Sequence, residues 1–123
     1  MGLHLALVAL LFLGQSVDHA AEGLRALEAR QYQAALEHFQ KAIEADPKDF
    51  TAHFNYAFAA SQLDHDSDAI SHYRTVLELK PGIYEAELNL GILLVRQKQY
   101  KDAVAPLRSA AEKKPQELRP SAR

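Results

Sequence analysis

The sequence predicts an all-α solenoid of three helix-turn-helix units, each 34 residues long, and three observations predict it. Pro47, Pro81 and Pro115 lie 34 apart, and so do Ala35, Ala69 and Ala103. Two further rows, Gly23, Ala57, Gly91 and Phe39, Tyr73, Leu107, keep the same period. Within each half unit the apolar residues recur at helical spacing, as in Tyr56, Ala57, Ala60 and Leu63 or in Leu36, Phe39, Ala42 and Ile43. One period shared by four rows is the mark of a repeat architecture.

In chain order, the first sixteen residues stand apart. Leu5 to Leu13 is an unbroken apolar run followed by Gly14, Gln15 and Ser16, with small residues placed for cleavage after Ser16. The run falls well short of the ~20 residues of a membrane-spanning helix, so a secretory signal is expected, with export to a periplasmic or extracellular setting. No Lys or Arg precedes the run. The alternative is an apolar helix that packs on the first unit or holds a cytoplasmic chain at a membrane.

The units run over 16–49, 50–83 and 84–117, followed by a tail at 118–123. Polar links at Arg30 to Gln33, Asp64 to Ser67 and Gln97 to Lys101 divide each unit into two helices, and they are short enough to force antiparallel pairs. Asp46-Pro47, Lys80-Pro81 and Lys114-Pro115 close the units, because proline cannot continue a helix and pushes its predecessor toward an extended conformation. Gly23, Ala57 and Gly91 are expected where the first helix meets Ala35, Ala69 and Ala103 on the second, letting the axes approach to ~8 Å. The large Phe39, Tyr73 and Leu107 are expected to fill the gap to the following unit. Pro106 falls inside the last helix and is expected to bend it.

The bulk composition removes several function classes. Charged residues make up 24% and apolar ones 48% of 123 residues, values of an ordinary folded domain. The net charge is -2, so no basic footprint exists to neutralise phosphates, and nucleic acid is not an expected partner. Without cysteine there are no disulfides, thiolate metal sites or thiol nucleophiles.

The rows together resemble the tetratricopeptide repeat over residues 16–117. The third unit carries Leu90-Gly91, Tyr100, Ala103, Ala110 and Pro115 of its signature, and the first carries Gly23, Tyr32, Ala35, Phe39, Ala42 and Pro47. The chain departs from the pattern at its first bulky position, which holds His19, His53 and Glu87, and at Pro106. The resemblance implies a right-handed superhelix whose first helices line a concave face where relatives hold peptides. The function it implies is a protein-protein interaction module or scaffold that binds a peptide or helix of a partner in that groove. The alternative is a self-assembling structural subunit, a homo-oligomer in which another copy fills the groove or the open end of the stack.

The groove residues that this register assigns are Leu24, Phe54, Phe58, Leu88 and Ile92, an apolar stripe of the kind that marks a contact surface. Gln62 and Arg96 flank the stripe. Asn55 and Asn89 stand beside it at equivalent places, offering donor and acceptor together to a peptide backbone. Family members that grip the acidic C-termini of chaperones surround such an Asn with Lys and Arg. The matching places here hold Ala20, Leu24, Glu85 and Asn89, and only Asn55 is kept, so a chaperone-adaptor role is not expected.

Six histidines raise the question of a metal site. His19 and His53 repeat at 34, as do His38 and His72, and equivalent residues of adjacent units stand ~10 Å apart, too far to share one zinc. Asp64, Asp66 and Asp68 around His65 lack the glycine turn and distal Glu of a calcium loop. Ser67 or Asp66 is expected to cap the next helix instead. With no phosphate-binding Gly loop, no H-E-x-x-H and no nucleophile beside a base, neither an enzyme nor a cofactor, metal or small-molecule substrate is expected.

Overall fold

A computed structural model describes residues 17–113. It contains six helices: α1 His19–Glu28, α2 Tyr32–Ala45, α3 Phe50–Gln62, α4 Asp66–Leu79, α5 Tyr84–Arg96 and α6 Tyr100–Lys113, with no strand among the described residues. They pair as α1/α2, α3/α4 and α5/α6 and stack so that packing mainly joins consecutive helices, with a small contact between α1 and α3 besides. The expected signal core, the cleavage position after Ser16, Pro115 and the tail lie outside the described residues. No helix among the described residues is long and apolar enough to cross a membrane.

Local chemistry explains where the helices start and stop. Asp18 caps α1 by accepting from the Ala21 amide at 3.1 Å, and Asp49 caps α3 by accepting from the amides of Thr51 and Ala52 at 3.0 and 3.4 Å. α5 has no side-chain cap, but Glu85 and Glu87 in its first turn face the positive end of the helix dipole. α4 departs from expectation: it begins at Asp66, His65 precedes it without a capping bond, and neither Ser67 nor Asp66 serves as the cap. The Asp66 carboxylate is drawn instead to Arg96 and Gln97 at the end of α5.

The turn inside each unit is the same structure three times. Arg30, Asp64 and Lys98, 34 apart, hold φ of 59°, 58° and 62°, the left-handed region. Past each of them the next amide reaches back to the third-last helical carbonyl: Gln31 to Ala26 at 2.8 Å, His65 to Ala60 at 2.9 Å and Gln99 to Leu94 at 2.8 Å. This six-to-one bond satisfies a carbonyl that the helix end would leave orphaned. Between units, Asp46 and Lys80 take extended conformations ahead of Pro47 and Pro81, as the proline ring dictates. Gly82 at φ 88° completes the second crossing. α6 continues through Pro106 as one helix.

The core follows the repeat rows, with one correction. Ala35, Ala57, Ala60, Ala69, Ala86 and Ala103 are buried, together with Phe39, Tyr73, Val76 and Leu94, the largest fully enclosed side chains. Each of those four contributes about 1.5–3 kcal/mol by burial. Gly23 packs first of all against Phe39. A Cβ built on Gly23 would lie 2.6 Å from the Phe39 ring, and one on Gly91 would collide with Leu107. Phe39 and Leu107 therefore enter notches left by the glycines of their own units, while the Tyr73 hydroxyl reaches Asn89 of the following unit.

Candidate functional groove

Repetition of the pair brings α1, α3 and α5, the first helix of each unit, to one side. Leu24, Phe58 and Ile92 lie one per helix at equivalent places and are 46%, 38% and 51% exposed, an apolar row turned to solvent. Val95 adds to it on α5. Phe54 and Leu88 are half-buried, and Phe54 sets its edge against the Tyr73 ring with centroids 5.4 Å apart.

Two depressions bracket the row. One, of about 280 Å³, is lined by Phe50, Thr51, Phe54, Ile83 and Glu85 at the start of α3 and α5. The other, of about 180 Å³, is lined by Phe58, Ser61, Gln62, Tyr73, Asn89, Ile92, Leu93 and Arg96. The structure thus gathers Phe58, Gln62, Asn89, Ile92 and Arg96 around one depression and places Phe54 at the other. Leu24, Asn55 and Leu88 line neither; Leu24 is exposed on α1, and the other two are half-buried.

Tyr73 joins the site from α4, and its position in a row otherwise held by Phe39 and Leu107 is the sequence signal that marks it. The Asn89 amide donates to the Tyr73 hydroxyl at 3.2 Å, leaving the amide carbonyl and one N–H for a ligand. Burial pushes the Tyr73 phenol up to about 12, against a smaller opposing effect of the Asn89 hydrogen bond. The hydroxyl therefore stays protonated, and able to donate, throughout the physiological range.

Arg96 forms a rim and not a free cation. Its Nε donates to Asp66 at 2.7 Å, and one terminal nitrogen both forms a second bond to the same carboxylate and reaches the Ser61 carbonyl at 3.4 Å. Gln97 adds a bond to Asp66 at 2.5 Å. The Arg96 hydrogen bond holds the Asp66 carboxyl below its ordinary value against the opposing effect of burial, and the same bond raises Arg96. This network ties the start of α4 to the end of α5 and closes one end of the polar depression.

The histidines are also paired in a way that the 34-residue spacing conceals. His19 on α1 and His38 on α2 approach to 3.1 Å between Nδ1 atoms, and His53 on α3 and His72 on α4 approach to 2.9 Å. The relevant separation is 19 residues, across the two helices of one unit. In the third unit the equivalent places hold Glu87 and Pro106, and buried Glu87 instead accepts from Lys113 at 2.6 and 2.7 Å. Among the described residues no group of three or more His, Asp or Glu side chains is placed to hold a metal ion.

Two models of the tetratricopeptide repeat match the chain, over residues 26–71 and 59–117. The chain belongs to the tetratricopeptide repeat family. Solved structures similar to it include MamA AMB-1, with a TM-score of 0.74 at 21% identity over 76% of this chain and 51% of that one. MamA MSR-1 has a TM-score of 0.72 at 21% identity over 76% of this chain and 54% of that one. The TPR2B domain of yeast Sti1, in complex with pHsp70, gives 0.73 at 22% identity over 78% and 77%. The chain thus spans about half the length of these MamA chains. At such identities the likeness is one of fold. No curated sequence matches the chain. As a tetratricopeptide repeat protein it is an all-α solenoid of the class whose members act as protein-protein interaction modules.

Proposed function

We propose that the chain binds an extended or helical segment of another protein along the face of α1, α3 and α5. The observation that carries this reading is the row Leu24, Phe58 and Ile92, large apolar side chains left in water on the first helix of each unit. The apolar depression at Phe50, Phe54 and Ile83 suits an apolar anchor, and the polar one suits peptide backbone through Asn89 and the Tyr73 hydroxyl. Asn55, Gln62 and Leu88 complete the proposed contact set, while Arg96, committed to Asp66, shapes the rim. The pHsp70 complex of the yeast Sti1 domain is a precedent for a protein ligand on this fold. No step of chemistry is assigned to the groove; its proposed activity is binding.

The test is selection of peptides from a displayed random library on the immobilised chain, followed by affinity measurement with Phe58→Asp and Ile92→Asp. Both residues are exposed, so the variants should keep the native melting temperature within a few degrees. Each should weaken the selected peptides about 10- to 100-fold if these are central contacts. Peptides indifferent to both substitutions would place the site elsewhere.

A second reading, self-assembly, has its own observation: Tyr100 and Val104 on α6 are 59% and 49% exposed. Light scattering at micromolar concentration separates the two, since a monomer favours the partner reading and a dimer that Val104→Asp dissolves favours assembly. We further propose that the chain works outside the cytoplasm, on the strength of the apolar run Leu5 to Leu13. N-terminal sequencing of native material should begin at or near Val17, and intact Met1 in the cytoplasm would refute export.

A further inference from the structure

Two imidazoles that touch nitrogen to nitrogen hold each other by one proton, and that proton can be placed in the second unit. His53 Nε2 lies 2.8 Å from the Pro47 carbonyl, which can only accept, so His53 carries its hydrogen on Nε2. Its Nδ1 is then a bare acceptor. The partner at 2.9 Å, His72 Nδ1, must carry hydrogen and donate. The ring centroids stand 5.2 Å apart, close to the sum of that bond and the two ring radii, so the nitrogens point head-on at each other. Such an arrangement fits a shared proton and leaves no room for an ion between them.

The bond limits what the pair can absorb. One added proton can sit on the outer Nε2 of His72 with the bond intact. A second has only His53 Nδ1, where it would set N–H against N–H between two cations. In the unfolded chain both rings take up protons near pH ~6.5. Below that pH the unfolded state therefore binds at least one more proton per pair than the folded state, and linkage makes the fold less stable as pH falls. The His19–His38 pair, at 3.1 Å with centroids 5.4 Å apart, has the same head-on geometry.

We propose that the paired histidines make the first two units an acid-sensitive clasp, closed at neutral pH and opened below pH ~6, while the third unit, clasped by Glu87 and Lys113, lacks it. Each clasp joins the groove-lining helix of its unit to the helix behind it, and His53 also ties the pair to the link between units. The surroundings modulate the response without removing it. Tyr56 lies against His72 with centroids 4.1 Å apart, and Asp68, one turn before His72 on α4, favours a proton there. Burial and the neighbouring His53 outweigh Asp68 and hold His72 below its ordinary value. Glu37, Lys41 and Glu44 of α2 lie across the convex depression that Tyr56 and Asp68 also line. Among the described residues no ion pair reaches a ring of either clasp. Loss of a groove-bound ligand on opening would follow, and that consequence alone rests on the groove reading.

The experiment is urea unfolding of the full chain, followed by circular dichroism between pH 7.5 and 5.0, a range in which carboxylate titration is minor. Between pH 6 and 5 the folding constant should fall about tenfold per clasp and about a hundredfold in all. His53→Asn supplies an oxygen acceptor to His72 Nδ1–H and frees that pair of its forbidden second proton, so most of one clasp's tenfold should vanish. His72→Asn offers an amide that can turn its N–H to neutral His53 or its oxygen to protonated His53, so it should flatten the slope as His53→Asn does. Because the slope is read, a uniform loss of stability in either variant does not matter. If a variant fails to fold, imidazole nitrogen shifts of the native chain at pH 7.5 serve instead, and His53 should be protonated at Nε2 and His72 at Nδ1. Stability that is flat from pH 7 to 5, a slope untouched by His53→Asn, or the opposite tautomers would overturn the clasp.

Discussion

At the scale of single residues, the tightest constraints fall on side chains whose partner is already in place. Gly23 has no room for a methyl group because the Phe39 ring, itself almost fully enclosed, occupies that space. Gly23→Ala gains about 1 kcal/mol of helix propensity but overpacks the crossing by about 1–3 kcal/mol. The net expectation is a less stable chain, seen as a lower urea midpoint with an unchanged slope, even though Ala57 fills the same row of the second unit. Arg96→Ala is a second case. It removes the main partner of a buried carboxylate and should cost about 2 kcal/mol at pH 7. Asp66 is held below its ordinary value in the fold, so its contribution exists above the unfolded carboxylate value and is lost as pH falls through the folded one. The gap in stability between native and variant chains should therefore narrow below pH ~4, and a gap that stays constant to pH 3 would show that Arg96 acts through packing alone. Both partnerships were hidden in the sequence. Asp66 reads as a helix cap until the fold brings Arg96 to it from thirty residues away.

The elements, by contrast, were written plainly. Rows of Pro, Ala and Gly at one period locate every helix pair, because each row answers a demand that the neighbouring helix repeats unit after unit. What the rows cannot express is which member of a unit faces which. The glycine row and the Phe39 row sit at compatible distances in either register, and only the observed notch decides. The histidines were obscured for a related reason: a spacing of 34 draws the eye between units, whereas the contact lies 19 residues away within one. The candidate groove was legible as a stripe of apolar residues on the first helices, but the Tyr73 contribution and the commitment of Arg96 came from the second helices. One feature of the elements offers a direct gain. Arg30, Asp64 and Lys98 occupy the left-handed conformation that favours glycine. Lys98→Gly, at an exposed turn, should stabilise the chain by up to about 1 kcal/mol, the strain of a side chain at that φ. A melting temperature that falls instead would mean that Lys98 holds its turn by other contacts.

The molecule as a whole is a stack in which support passes mainly between adjacent helices, with a small contact of α1 on α3 and the Arg96 bond to Ser61 beside them. Its units are consequently unequal in what holds them: the first two are clasped by imidazole pairs and the third by an ion pair between Glu87 and Lys113. An opening in one unit weakens the next through their shared interface and no further. Hydrogen exchange at pH 5 should accordingly accelerate first in α1 to α4, and uniform exchange over all six helices would argue for a single cooperative block. The mainly neighbour-to-neighbour packing also governs the tempo of folding. Nearly every native contact joins segments a few tens of residues apart, so the chain closes no long loop before contacts begin to reward it, and helical topologies of this sort fold in microseconds to milliseconds. A chain opened by acid would thus regain its order on neutralisation faster than exposed apolar surfaces of separate molecules find one another, which makes repeated opening and closing compatible with solubility.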